Sequence, residues 1–159
     1  MSGHTTALHL EEKPVFRGFA TVNVFADDVV AARDWYAQVF DAEAYYAMPP
    51  APAAPAYVEF RVGDDADEFG IIDRRFAPSG SRDATGPAGA VVHWHVDDLP
   101  GTVARLLALG ATEYQPLTEH GDGGFVTASV VDPFGNVLGV MHNPHFLEIA
   151  EARAAAVAA

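Results

Sequence analysis

Two segments seventy residues apart, FATVNVFADD at 19–28 and GAVVHWHVDD at 89–98, constrain this chain more than any other feature. Superimposed, they share Ala20/Ala90, Val22/Val92, Asp27/Asp97 and Asp28/Asp98. Each is an apolar-rich run that ends in an Asp pair and then turns amphipathic, the pattern of a strand feeding a helix. The period is too long for one solenoid repeat and matches two copies of a whole supersecondary module.

The chain between and around the echoes reads accordingly. Residues 1–14 lack periodicity and form an expected loose arm ending at Pro14. The first module spans 15–76. It begins with a β-prone run from Val15 to Phe25, then a helix capped by Asp27 or Asp28 that reaches Phe40. Its apolar face is Val29, Ala32, Trp35, Tyr36, Val39 and Phe40. Short strands are expected in 43–48, 57–62 and 68–74. They are interrupted at 49–55 by PPAPAAP, where proline forbids helix or central strand. Residues 77–88 read as a Gly/Pro/Ser linker. The second module, 89–147, repeats the order: a strand at 90–96, then a helix from Asp97 or Asp98 with Val103, Ala104, Leu106 and Leu107 inward, stopped by Gly110. A strand is expected at 112–115, a loop at 116–124, and a hairpin across DPFGN at 132–136. The Ala-rich tail, 148–159 with propensity extending back to Phe146, is expected to be helical.

Charge narrows the partners. Nine basic against 22 acidic residues give −13, which disfavours phosphate backbones and anionic lipid surfaces. Without cysteine there is neither a disulfide nor a thiolate chemistry to consider. The first twenty residues lack the apolar run of a signal peptide, and no stretch approaches the ~20 apolar residues of a membrane span. The expectation is a cytoplasmic protein with no nucleic-acid or membrane partner.

Two βαβββ modules, the Asp-ended strands, the aromatic pair Trp35-Tyr36 and the DPFGN hairpin together resemble the vicinal oxygen chelate superfamily, over about residues 15–147. That superfamily includes glyoxalase I, extradiol dioxygenases and bleomycin-resistance proteins. The resemblance implies an α+β fold in which two modules curl eight strands into a U-shaped trough, helices outside. It also implies a divalent metal on the trough floor and, in many members, a dimer; a homodimer is expected here. The positions that carry metal ligands in such proteins fall here on Thr21, Val91, Gly139 and one residue within Phe69–Ile72. A catalytic divalent site needs about three N or O side-chain donors, so no metal cofactor is expected.

Strand parity, with residues two apart sharing a face, then gives a trough floor of Thr21, Asn23, Phe25, His93, His95, Met141 and Asn143, with Trp94 turned to the helices. Three readings of His93 and His95 remain open: internal hydrogen bonding, ligand contact, or a displaced two-histidine metal site with Glu59 as third donor. Asn23 is either a satisfied core amide or a ligand contact. His120, Arg74 and Arg75 read as solvated groups before they read as functional ones. Three functions follow: a metal-free small-molecule binder, as in drug sequestration; a lyase, isomerase or dioxygenase using a relocated metal or a histidine acid/base; or an interaction module with a vestigial trough. The first is favoured, because a strongly acidic surface attracts cationic drugs. No nucleophile elbow, P-loop or dinucleotide fingerprint is present.

Overall fold

The computed structural model describes residues 19–78, 86, 87 and 90–159. The arm at 1–14, the start of the first expected strand and most of the linker lie outside the described residues. The first module comprises β1 (Thr21–Ala26), α1 (Val29–Phe40), β2 (Tyr46–Met48), β3 (Tyr57–Val62) and β4 (Asp67–Asp73), followed by a 3-10 turn at Arg74–Phe76. The second comprises β5 (His93–His95), α2 (Leu99–Ala108), β6 (Thr112–His120), β7 (Phe125–Val131) and β8 (Val137–His142), with α3 (Pro144–Ala158) after it. The strand orders are β1-β4-β3-β2 and β5-β8-β7-β6. In both sheets the first strand runs parallel to the last and the other pairs are antiparallel. The internal echo is therefore a repeat of topology. The fold is α+β, in two open four-stranded sheets.

Both helices start where the echo places them. Asp28 accepts from the Ala31 N–H at 2.9 Å and Asp98 from the Gly101 N–H at 3.0 Å. Each carboxylate satisfies an orphan donor at the positive end of its helix. Helix α1 lies on β1, β3 and β4, and α2 on β6, β7 and β8. Strand parity puts Val58, Phe60, Phe69 and Ile71 of one sheet and Ala128, Val130, Leu138 and Val140 of the other into a single core.

The expected strand at 90–96 narrows to His93–His95, and other expectations change too. In α2 the inward stripe is Leu99, Val103 and Leu106, while Ala104 and Leu107 are exposed, because a step of four and then three residues carries the stripe away from them. Strand β6 runs on to His120, through the segment expected to be a loop. Pro116 is accommodated because β6 is an edge strand with register shifts around Gln115, where no N–H is required. The terminal helix begins at Pro144, because Asn143 Oδ1 accepts from the Phe146 N–H at 3.1 Å and caps it.

The modules are joined by a polar web embedded in aromatic packing. Tyr36 donates to the buried Asp132 at 2.5 Å, and Asp132 also accepts from the backbone N–H groups of Phe134 and Asn136. The Asn136 side chain bonds both the N–H and the C=O of Phe25, on the open edge of β1. Trp35 Nε1 donates to the Leu109 carbonyl at 2.8 Å. Arg74, expected to be solvated, bridges Asp27, the Phe25 carbonyl and the Phe134 carbonyl. Burial, reinforced by the Asp132 charge, pushes the Tyr36 phenol well up, so it stays a donor. Tyr36→Phe should therefore cost about 1.5–3 kcal/mol, the range for a hydrogen bond to a charged group, read from urea unfolding.

Candidate functional site

Each sheet has an inner face, turned away from its helix, and the ladder register places its residues in matching rows. One row of the first sheet is Asn23, Gly70, Glu59 and Tyr46. Its counterpart in the second is His93, Gly139, Ser129 and Gln115. Asn23 and His93, Gly70 and Gly139, and Glu59 and Ser129 occupy the same places in the two modules. The central glycines have a steric reason. A Cβ on Gly70 would collide with Asn23 Oδ1 and lie 3.0 Å from the Tyr57 hydroxyl. One on Gly139 would lie 2.7 Å from the Val92 carbonyl and 2.8 Å from His93 Cδ2. In each module, the first-strand polar side chain lies across the space a side chain on the last strand would need.

This bears directly on the metal positions. The window Phe69–Ile72 resolves to Gly70, which pairs with Asn23 as Gly139 pairs with His93. Two of the four positions therefore hold glycine with the space above already filled, and the others hold Thr21 and Val91. Among the described residues no group of three or more His, Asp or Glu gathers closely enough to hold an ion. The side chains present do not fit a divalent ion at those positions.

His93 and His95 prove unequal. His95 Nδ1 accepts from the Asn143 N–H at 3.1 Å, and Nε2 lies 3.4 Å from Asp97 Oδ1. Its ring stacks on Phe146 at 4.8 Å and 13°, and its side chain is only 6% exposed. Both nitrogens are engaged, so His95 fastens the start of α3. Asn143 is likewise engaged, capping α3 and donating to Met141 Sδ at 3.7 Å. His93 is half-buried beside Gly139, and among the described residues no such web surrounds it. Trp94, between the histidines, turns to the core, its ring 5.8 Å from Phe40 and 6.2 Å from Phe69. Phe25 is half-buried, its backbone held by Asn136. His120 sits at the end of β6, 2.8 Å from the Thr127 hydroxyl.

A cavity of about 420 Å³ opens at the seam where β1 and β5 meet. Thr21, Glu68, Val91, His93 and Phe146 line it, so it joins inner-face residues of both modules. The size falls within the range of small-molecule pockets. Glu59 is not in the cavity lining but stands on the same inner face of the first sheet as Glu68, and its carboxylate accepts from the Tyr57 hydroxyl. Burial first, then the Glu68 charge, raises the Glu59 carboxyl, with Arg61 opposing. Burial, then Glu68, then Tyr46 raises the Tyr57 phenol, which remains a donor at neutral pH. Tyr57, Glu68 and Phe146 belong to this region and were not among the sequence candidates. Tyr57 stands two residues from Glu59 on one strand, a signal parity offered. The other two depend on sheet register and on the path of α3.

Two predictions follow from this geometry. A carboxyl with a raised folded value stabilises the fold below its ordinary value near 4.5 and loses that contribution as pH rises through the folded value. Glu59→Gln should thus gain in stability relative to the parent as pH rises above about 4.5, read by urea unfolding. His95→Ala should lower stability by about 1–3 kcal/mol and expose α3 to proteolysis, whereas His93→Ala should leave both nearly unchanged.

Residues 18–140 match the glyoxalase/bleomycin resistance protein/dioxygenase superfamily. No curated protein matches the sequence. Among solved structures, a glyoxalase-related enzyme from Fulvimarina pelagi is 16% identical with a TM-score of 0.60, covering 80% of this chain and 89% of that one. TioX from Micromonospora sp. ML1 is 20% identical with a TM-score of 0.58, covering 79% and 98%. A glyoxalase/bleomycin resistance protein/dioxygenase family enzyme from Burkholderia phytofirmans PsJN is 20% identical with a TM-score of 0.57, covering 77% and 96%. At these identities the likeness concerns the fold.

Proposed function

We propose that this chain, which belongs to the glyoxalase/bleomycin resistance protein/dioxygenase superfamily, binds a small cationic molecule in the seam cavity without a divalent metal. The observation that carries the reading is the inner face of the first sheet. The Glu68 charge lies close enough to raise both the Glu59 carboxyl and the Tyr57 phenol, after burial, and the Tyr46 ring lies 6.1 Å from that of Tyr57. A cationic ligand would relieve that repulsion, and the tyrosine rings offer faces that attract cations. The net charge of −13 would steer such a ligand inward. His93 and Thr21 would contact it from the seam, and sequestration requires no further chemistry. Glycine at Gly70 and Gly139 supports the metal-free part of the proposal, since neither position can supply a ligand.

The raised Glu59 carboxyl favours a second reading, acid/base catalysis, in which Glu59 with its Tyr57 donor would exchange a proton with the bound molecule. Homodimerisation is proposed as well. Every residue of the edge strand β6 is exposed, Tyr114 and Leu117 included, and such an edge is suited to a partner. Among the described residues no helix is long and apolar enough to cross a membrane.

The test is a thermal-shift screen of cationic and neutral aromatic compounds, with calorimetry on the hits. Glu59→Gln and Glu68→Gln should each weaken a cationic hit about fivefold, as expected for partly exposed charge pairs, and His93→Ala should weaken it too. Hits that are all neutral, or indifferent to both glutamates, would sink the cationic reading. A stoichiometric metal in chelator-free protein would sink the metal-free one. Product formation from a hit would favour catalysis.

A further inference from the structure

A second cavity shares Trp94 with the seam cavity as a lining residue. It sits between the C-terminal end of α1 and the body of α2 and measures about 170 Å³. Phe40, Trp94, Val96, Leu106 and Val140 form its apolar wall, and Arg105 lines it as well. Apolar cavities of about 150 Å³ accept molecules the size of benzene.

Arg105 gives this cavity a polarity unlike the rest of the protein. Its guanidinium donates to the Gln38 and Val39 carbonyls at the end of α1. Those partners are neutral, and among the described residues no carboxylate pairs with Arg105. A guanidinium carries five N–H donors, so the two carbonyls leave donors over. In a chain of net charge −13 this is a local cation beside an apolar hollow.

We propose that the helix-side cavity is a separate binding site for a compact monoanion with an apolar body, such as an aromatic carboxylate. The body would fill the space against Phe40 and Trp94, and the carboxylate would take the remaining Arg105 donors in the paired geometry guanidinium favours. The site is distinct from the seam cavity, with Trp94 as the common wall.

The experiment is titration of the full chain with benzoate and with benzamide, its neutral counterpart. Calorimetry gives the affinity, and the two tryptophan indole N–H resonances, assigned with Trp94→Phe, report the place. Benzoate should bind about tenfold more tightly than benzamide, a margin of about 1.4 kcal/mol, and should shift the Trp94 resonance more than that of Trp35. Arg105→Gln should abolish the preference while retaining benzamide binding. Thr102→Leu, which places a larger apolar group in the lining, should weaken both ligands. Should Arg105→Gln fail to fold, the preference in the parent protein should shrink as salt is raised. The proposal is overturned if neither ligand binds at about 10 mM, or if the preference survives Arg105→Gln or is indifferent to salt. It is also overturned if His93→Ala abolishes binding while Thr102→Leu does not, which would put the ligand in the seam.

Discussion

The contact between Tyr36 and Asp132 joins the two halves of the molecule, and much of the remaining geometry depends on it. Asp132 is buried, and a buried carboxylate is tolerated only when its acceptor positions are filled. Here the Tyr36 hydroxyl, two backbone N–H groups of its own turn and the Asn136 amide fill them. The same turn extends Asn136 onto Phe25, tying the open edge of β1 to the second module. One hairpin turn thus folds itself, satisfies a buried charge and fixes where the first module docks. Around it, the Phe40, Phe69 and Trp94 rings interlock and Trp35 packs on Phe134, so displacement of either module would open a void in the aromatic core.

With the modules fixed, the seam between β1 and β5 acquires a definite shape, and the inner faces acquire different characters. The module repeat is close in backbone but divergent in chemistry. Glu59 in the first module corresponds to Ser129 in the second, and Asn23 corresponds to His93. Ser129 Oγ is buried with no hydrogen-bond partner among the described residues, whereas Glu59 is half-buried and bonded to Tyr57. The inner face of the first sheet therefore carries charge and phenols, and that of the second carries imidazole and apolar surface. The glycines at the centre of both rows keep the floor low enough for Asn23 and His93 to lie across it.

Helix α3 adds an element outside the repeat. It is held at its start by the Asn143 cap and by His95 stacked on Phe146, and further along by Arg153 paired with Asp65 in the turn between β3 and β4. It thus reaches from the end of the second module to the first. Phe146 becomes part of the seam cavity wall as a consequence. The chemistry of His95 is committed to that attachment, which separates it in role from His93 despite their shared strand face.

The amino-acid sequence by itself determined the two modules, their helix starts and the inward side of most strands. These features depend on interactions within a few residues: Asp28 and Asp98 cap their own helices, Gly135 permits its own turn, and alternation along YVEFRV follows from strand geometry. Thr21, Asn23 and His93 were legible as inner-face residues for the same reason. The tertiary structure decided what required distant partners. His95 looked equivalent to His93 until the Asn143 N–H and the Phe146 ring came to it. Asn143 looked like a pocket residue until the following chain turned helical and took its side chain as a cap. Pro116 looked like loop because the edge position that tolerates it is a property of the whole sheet. Arg74 looked solvated, although three groups from two modules converge on it. Glu68 joined Glu59 and Tyr57 only through the β1-β4-β3 register, which is set by pairing between strands far apart in the chain.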